Sequence, residues 1–519
     1  MKMDNNWLHS TILALSAATV MCTYFMLEEE EEDDAKYTPE DVESMVRHEL
    51  KQRTKKRRQD SGDTHGDNDA TRKKRYIEYD RERASMCVNA DYFCPQPKFD
   101  DRQFERFFRI TRGMAEYILQ QLALHDTFWT QTYDARNRMS NAPQVKLLAA
   151  LKMVSYGESF SAWQDYFQMG ESTARECCSK LMKGLVTIEA ISGVYLRKMT
   201  KADAQKVEQL HFENHNIHGM LGSLDVMQVP WGNCPSGQKG QHIGKSGEPT
   251  LALEAAADYN LWIWHWCFGS PGSLNDINTW ERSSMLHDMT HGRMHEIDFD
   301  YKINGESFSL LYYLVDLIYP QITRFVRAIA VPVTRIDRYY TSKHDAARKD
   351  IERAFGVFEK KYHCITHPIQ LFYVDDIHYL IGGCIVMHNM MVEHRIKNNQ
   401  IESESFYELA SDNVPNYHPT TVTKTAAAEK AIADRDAYFE ANAALADLNN
   451  DVVDLELRDE LREAQILTRN LRFVQYYWKE LTNTEEHLRL QNAIKHQLYK
   501  DRYGQDTDGD ELASFDPFE

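Results

Sequence analysis

A chain of 519 residues, 42% of them hydrophobic, has enough apolar side chains to bury the cores of two or three domains. The net charge of −19 is concentrated at the ends: residues 401–519 hold 25 Asp and Glu against 12 Lys and Arg, and residues 28–34 are seven consecutive acids. The middle of the chain is therefore nearly neutral, and the overall charge does not exclude DNA binding. Nine cysteines without a CxxC pair fit a reduced intracellular protein, and no zinc site is expected.

Residues 7–27 are uncharged and mostly apolar, and their length just reaches that of a membrane span or a signal peptide. Six His, Ser and Thr side chains interrupt the segment, and no small-x-small cleavage site precedes the acidic run. We interpret it as an extension, with membrane anchoring or secretion as the alternative.

Two basic clusters follow in a polar stretch, separated by thirteen residues. They consist of Lys55, Lys56, Arg57 and Arg58, and of Arg72, Lys73, Lys74 and Arg75. This pattern is typical of a bipartite nuclear-import signal and predicts a nuclear protein, although a phosphate-binding arm or a solvated disordered linker has the same composition. Residues 1–100 are predicted to be a mostly disordered N-terminal extension.

Residues 101–205 are predicted to form a helical domain. Within it, Ser161–Ile188 indicates a short helix, a turn at Met169 and Gly170, and a second helix that starts with Glu171, Ser172 and Thr173. This is the pattern of a helix-turn-helix whose second helix enters a major groove, and equally of a plain helical hairpin.

Residues 206–395 change from strands to helices, which predicts an α/β or α+β domain rather than a helix bundle. Residues 218–231 predict a strand that ends at Pro230, and residues 250–269 predict two strands joined at Asp258-Tyr259-Asn260. "SFSLLYYLVDLIYP" predicts a further strand stopped by Pro320, and residues 348–363 and 377–396 predict helices. Residues 396–519 are predicted to be an acidic, partly helical tail.

Four acids stand out by their context. Asp225 and Asp316 lie in apolar strand patterns, Asp276 follows a Gly/Pro loop, and Glu352 lies on a helix between Arg348, Lys349 and Arg353. Each has an ordinary structural explanation, namely a buried ion pair, a helix cap or a surface pair. A carboxylate site for Mg²⁺ or Mn²⁺ explains all four together, because hard cations prefer oxygen ligands.

Long segments resemble a known family. Residues 222–278, "YYLVDLIYP", "RKDIERAFGVF" and "MHNMM" are similar, in this order, to the PIF/Harbinger transposases of the plant transposon protein branch, a Harbinger-derived nuclease family. "YFQMGESTARECC" resembles the family's segment ahead of the catalytic domain, and "LRLQNAIKHQLY" its closing helix. The resemblance covers about residues 104–394 and that helix.

The resemblance implies an RNase H-like DDE nuclease core that follows the helical segment. It also implies cleavage of element ends and joining of their 3′-hydroxyls to target DNA, with two Mg²⁺ (or Mn²⁺) ions held by acids. Asp225 and Glu352 are the expected first and last acids, Asp316 fits the second, and Asp276 is also marked in the family, so all four are carried as catalytic metal ligands. The family's usual Myb-like DNA-binding partner and a homo-oligomeric active complex are further expectations.

The basic residues near these acids are candidate contacts to DNA phosphates. They are Lys239, His242 and Lys245 in the loop 236–247, and Arg348, Lys349 and Arg353 beside Glu352. A solvated loop and a salt-bridged helix explain them equally well. Two other functions stay open: a domesticated DNA-binding or recruitment protein without catalysis, and a nuclease of this fold without strand transfer.

Overall fold

The computed structural model describes residues 77–133, 137–244, 246–398 and 474–503. The apolar segment 7–27, the acidic run, both basic clusters and most of the acidic tail lie outside these ranges, so the predictions made for them are not addressed by the structure. Among the described residues, no helix is both long and apolar enough to cross a membrane.

The described part of the chain is mixed α/β, as predicted. Its helices are α1 (Arg81–Val88), α2 (Asp101–Phe108), α3 (Arg112–His125), α4 (Pro143–Tyr156), α5 (Gln164–Phe167), α6 (Glu171–Thr187), α7 (Glu189–Tyr195), α8 (Lys201–His215), α9 (Lys239–His242), α10 (Asp276–Trp280), α11 (Ser284–Thr290), α12 (Arg335–Lys361), α13 (Val374–Asn398) and α14 (Thr484–Tyr503). Its strands are β1 (Met220–Pro230), β2 (Thr250–Ala257), β3 (Ile263–Pro271), β4 (Tyr301–Ile303), β5 (Glu306–Phe308), β6 (Tyr312–Val315) and β7 (Phe325–Arg327).

Five strands form one mixed sheet in the order β3-β2-β1-β6-β7. β1, β2 and β3 are antiparallel neighbours, whereas β6 runs parallel to β1 and β7 parallel to β6. Every residue of β2 is buried, and all of them except Thr250 and Glu254 are apolar. Gly222, at φ 147°, lets β1 approach β2 closely, because a Cβ there would lie 2.4 Å from the carbonyl oxygen of Ala257.

Two hydrophobic cores cover the sheet. The first joins the helices between residues 81 and 195 to α13, to parts of β1 and β2 and to the later half of α12, so the helical segment and the sheet share one core. The second contains β6, β7, the first half of α12 and Leu490 and Ile494 of α14. The closing helix, assigned from sequence to the tail, therefore packs with the sheet.

The predicted helix at residues 348–363 is part of the longer helix α12. Its start is fixed by a capping box, in which Thr334 and Asp337 satisfy each other's backbone N–H groups. Ile351, Phe355 and Phe358 are buried, as their spacing predicts.

Residues 161–188 form a short helix α5, a turn and the helix α6. α6 begins at Glu171 as predicted; its N-cap is Gly170 and no side chain caps it, so Ser172 and Thr173 lie within the first turn and do not act as caps. One side of α6 packs on α4 and α13, and its other side exposes Arg175, Ser179 and Lys183. Its entry into a DNA groove stays a prediction.

The single strand predicted for "SFSLLYYLVDLIYP" is wrong. The segment divides into β5 and β6, and β6 ends at Val315. Asp316 begins a turn, since its Oδ1 accepts from the Leu317 N–H at 2.7 Å and its carbonyl oxygen accepts from the Tyr319 N–H at 3.2 Å. Asp316 thus stands just beyond the strand rather than inside it.

Candidate active site

Asp225 lies near the middle of the sheet, on the central strand β1 opposite Ala255 of β2. Its side chain is 24% exposed, and its Oδ1 accepts from the Val226 N–H at 2.8 Å. The pKa of Asp225 is raised to about 6, chiefly by burial; the charges of Asp276 and Glu352 act in the same direction, and the Val226 N–H and Arg348 oppose them. This carboxylate is therefore costly to keep ionised, and a nearby cation relieves that cost.

Arg348 joins the first and the last of the four predicted acids. One guanidinium nitrogen lies 3.6 Å from Asp225 Oδ2, and the other lies 2.7 Å from Glu352 Oε1. Arg348 and Glu352 are one helical turn apart on α12, so both side chains lie on the same side of that helix. Glu352 is 46% exposed, yet it leans toward β1 through this arginine.

Asp316 comes close to Asp225 through the pairing of parallel strands. Ser223 of β1 is in register with Leu314 of β6. Two residues further along each chain lie Asp225 and Asp316, which places both at the same level of neighbouring strands. Asp316 is exposed, as expected for an acid directly after a strand end.

Tyr319 and Asp276 complete the cluster. Burial raises the pKa of Tyr319, and the charges of Glu254, Asp225, Asp276 and Asp316 raise it further, so the phenol is within electrostatic range of three of the predicted acids. The Tyr319 hydroxyl is buried and has no hydrogen-bond partner among the described residues. Asp276 is the first residue of α10, directly after the N-cap Asn275, and is half-buried.

All four predicted acids thus gather at one region of the sheet. Two are linked by Arg348, and three lie within electrostatic range of Tyr319. Sequence reasoning missed Tyr319, which stands three residues after Asp316 in an apolar run and carries no charge to mark it.

Sequence reasoning also missed Glu254, a fully buried acid on β2. Its Oε1 accepts from the Ser283 hydroxyl at 2.5 Å and lies 3.0 Å from His265 Nε2, while its Oε2 has no hydrogen-bond partner among the described residues. An acid inside the apolar run "TLALEAAA" is the signal that marks it in the sequence.

The candidate DNA contacts of the loop 236–247 have different surroundings. Lys239 is exposed on the short helix α9. His242 is buried, with its ring edge-on to Trp231 at 5.0 Å and its Nδ1 3.3 Å from the carbonyl oxygen of Thr250. Such a ring does not reach a phosphate, so we leave His242 out of the proposed DNA surface. Lys245 lies outside the described residues.

The candidate contacts on α12 also differ from one another. Lys349 is exposed, and Arg348 is held between two carboxylates. Arg353 lies 2.8 Å from Asp350 and 5.4 Å above the ring of Tyr259, on another side of the helix. Of these three residues, Arg348 is the one in contact with the predicted acids.

Comparison with known proteins gives two matches. Residues 193–399 match the model of the family described as "Plant transposon protein". The chain is also 20% identical over 305 residues to "Protein ALP1-like" of Arabidopsis thaliana, which covers 57% of this chain and 71% of that protein. No solved structure matches the chain. The matched segment contains all four acids, and the predicted resemblance of this chain to Harbinger-type transposases of the plant transposon protein branch is confirmed.

Proposed function

We propose that the protein is a metal-dependent DNA nuclease of the PIF/Harbinger transposase type, which cleaves element ends and joins them to target DNA. The observation that carries this proposal is the convergence of Asp225, Asp276, Asp316 and Glu352 in a segment that matches the plant transposon protein family. The proposal of an RNase H-like core has support from the order of the elements. The first strand, β1, carries Asp225, and the late helix α12, which packs on β1, carries Glu352.

The donor set fits Mg²⁺ or Mn²⁺. All four side chains offer carboxylate oxygens, which hard divalent cations prefer. Arg348 already places a positive charge between Asp225 and Glu352, and the raised pKa of Asp225 reflects burial and mutual repulsion that a divalent cation offsets. When bound, two such ions would stabilise the charge that develops on the phosphate and lower the pKa of the attacking water.

We assign metal binding to the acidic side chains and contacts with DNA phosphates to the basic ones. Asp225 provides a carboxylate from β1, and Asp316 provides one from the turn that directly follows the neighbouring strand β6, so the pairing of these two strands sets their spacing. Glu352 provides a carboxylate from α12 and is free to turn toward a metal once it leaves Arg348. The released guanidinium, together with Lys349 and Lys239, would contact DNA phosphates.

The test is cleavage, in Mg²⁺, of DNA that contains the sequences flanking the gene on both sides. Asp225→Asn keeps the shape of the side chain but removes the charge, and we expect it to abolish cleavage with an unchanged melting curve. Asp300→Asn, a matched change of an exposed aspartate outside the cluster, should cleave as wild type does. Cleavage by Asp225→Asn near the wild-type rate would refute the assignment.

The same assay separates the alternatives. A wild-type protein that binds these ends but never cuts them would be a non-catalytic DNA-binding or recruitment protein. Cutting without joining of the 3′-hydroxyls would identify a nuclease without strand transfer. Asp276→Asn and Asp316→Asn, measured side by side, decide which three of the four acids are required.

We also propose a nuclear protein that acts as a homo-oligomer with a Myb-like DNA-binding partner. The support is the two basic clusters at residues 55–58 and 72–75 and the similarity to the transposase family. Co-expression with a Myb-like protein encoded beside the gene should raise occupancy of the element ends, and no such gain would remove this partner from the proposal.

A further inference from the structure

A second cluster of ligand-type side chains lies on another side of α12. His211 and His215 are one turn apart near the end of α8, and Asp350 reaches them from α12. One ligand atom from each of the three lies within 4.8 Å of the other two. His215 Nε2 is 2.7 Å from Asp350 Oδ2, and the two imidazole rings are nearly parallel with their centroids 5.9 Å apart.

His211 is the unusual member of this cluster. Its side chain is fully buried, and neither ring nitrogen has a hydrogen-bond partner among the described residues. Burial, with a smaller effect of the neighbouring His215, lowers the pKa of His211 to about 3, so the ring is neutral and keeps a free lone pair. Buried polar groups in folded proteins nearly always have a hydrogen-bond partner, so this unpaired imidazole is an exception that a bound ligand would explain.

Asp350 and His215 are also held by neighbouring groups. Asp350 is 1% exposed, and its other oxygen accepts from Arg353 at 2.8 Å. Tyr259 packs edge-on to His215 with 5.3 Å between ring centroids, and the buried carboxyl of Asp258 is close enough to interact electrostatically with Asp350. The arginine and Tyr259 thus fix the carboxylate and one imidazole in place.

We propose that His211, His215 and Asp350 form a binding site for Zn²⁺ or a similar transition-metal ion, separate from the carboxylate site. Two imidazoles one helical turn apart and a carboxylate from a second helix are a donor set that suits Zn²⁺ and not Mg²⁺. Tetrahedral zinc with bonds of about 2.0–2.2 Å places its ligand atoms about 3.3 Å apart. His215 and Asp350 would therefore separate by only about half an ångström from their present contact.

The proposed zinc site and the carboxylate cluster lie on different sides of α12. Asp350 and Glu352 are two residues apart on α12, which turns their side chains about 200° around the helix axis. Asp350 meets α8, whereas Glu352 leans toward β1. The earlier expectation of no zinc site rested on the cysteines, and the signal missed was the His-x-x-x-His spacing of "HFENH".

A metal at this position would join α12, which carries Glu352, to α8, which leads into the strand that carries Asp225. α8 ends at His215, five residues before β1 begins, and β1 carries Asp225. α12 carries Glu352 two residues after Asp350. A bound ion would hold these elements together without touching the reacting DNA, so its role is positional and does not depend on the proposed nuclease activity.

The test is metal binding by the full-length protein. Bound metal is first removed with EDTA, the EDTA is removed, and the protein is then titrated with Zn²⁺ in the presence of excess Mg²⁺. We expect one equivalent of Zn²⁺ that Mg²⁺ does not displace, and Co²⁺ in its place should give the visible absorption of tetrahedral coordination. His211→Leu and Asp350→Asn should lose this equivalent. His388→Leu, a matched change of a fully buried histidine outside the cluster, and Asp225→Asn should keep it.

Melting curves confirm that each variant is folded before its metal content is compared. If His211→Leu does not fold, Asp350→Asn and the Co²⁺ spectrum of wild type decide the matter. A folded wild-type protein that takes up no Zn²⁺, or Zn²⁺ binding that persists in both cluster variants, overturns the proposal. Because no readout uses DNA cleavage, a failure here is distinct from a failure of the nuclease proposal.

Discussion

Arg348 occupies the position of a cation between Asp225 and Glu352, and this leads to a quantitative prediction for Arg348→Met. The contact to Glu352, at 2.7 Å, involves a side chain that is 46% exposed, so it contributes about 0.3–0.5 kcal/mol. The contact to Asp225, at 3.6 Å, is less exposed and contributes about 1 kcal/mol after solvent screening. Without metal, the variant should therefore be less stable than wild type by about 1.5 kcal/mol.

With Mg²⁺ bound, the metal neutralises the acids, and Arg348 is no longer needed there. The stability difference should then nearly vanish. Because binding and stability form a closed thermodynamic cycle, the variant should bind Mg²⁺ about tenfold more tightly, which corresponds to about 1.4 kcal/mol. Removing the arginine should thus weaken the metal-free protein and strengthen its metal binding at the same time.

The measurements are thermal unfolding in EDTA and in saturating Mg²⁺, and calorimetric titration with Mg²⁺. Lys349→Met is the matched control, since Lys349 is the exposed neighbour of Arg348 on α12, and it should change neither quantity. Equal destabilisation of Arg348→Met in EDTA and in Mg²⁺, with unchanged Mg²⁺ affinity, would refute the idea that metal and arginine compete for the same carboxylates.

Three further predictions concern stability and location. Asp298→Asn should lower the free energy of unfolding by about 3 kcal/mol in urea titrations, because it leaves the buried Arg324 without the carboxylate that it contacts at 2.5 Å, and a loss below 1 kcal/mol would contradict this. Burial raises the pKa of Asp258 from 3.8 to about 7, so the folded state holds a proton that the unfolded state loses, and the free energy of unfolding falls as pH rises from about 4 to 7. Asp258→Asn should flatten this part of the stability–pH curve, and an unchanged slope would contradict the prediction. A fluorescent fusion with residues 55–58 and 72–75 changed to Ala should stay cytoplasmic, and undiminished nuclear entry would assign import to another segment or a partner. Membrane localisation of the unmodified protein would assign an anchor to residues 7–27.

Local patterns predicted those parts of the fold in which burial follows the sequence directly. The strands β1, β2 and β3 and the helices α12 and α13 were predicted because apolar residues recur with the period of a strand or a helix. Asp225 was predicted as a site residue for the opposite reason, since a charge in an apolar strand is costly unless it has a partner. In the structure that partner is Arg348.

The end of β6 could not be predicted in the same way. The run from Leu314 to Pro320 stays apolar through the turn, because Leu317, Ile318 and Tyr319 follow Asp316 without a Gly or Asn to mark the break. The position of His242 was missed for another reason. A histidine in a Gly- and Lys-rich loop is typical of an exposed residue, and only the tertiary contact with Trp231 buries it.

The two clusters on α12 show which sites a sequence pattern can and cannot indicate. Arg348 and Glu352 are four residues apart, so helical spacing alone brings them together, and Asp225 then joins them through the packing of α12 on β1. Asp350 and His211 are separated by more than a hundred residues, and no local pattern relates them. Their meeting follows from the packing of α8 and α12 around the same strand. α12 therefore carries two acids toward two different neighbours, and because both clusters depend on the placement of this one helix relative to β1, a change that displaces α12 should disturb metal binding at both.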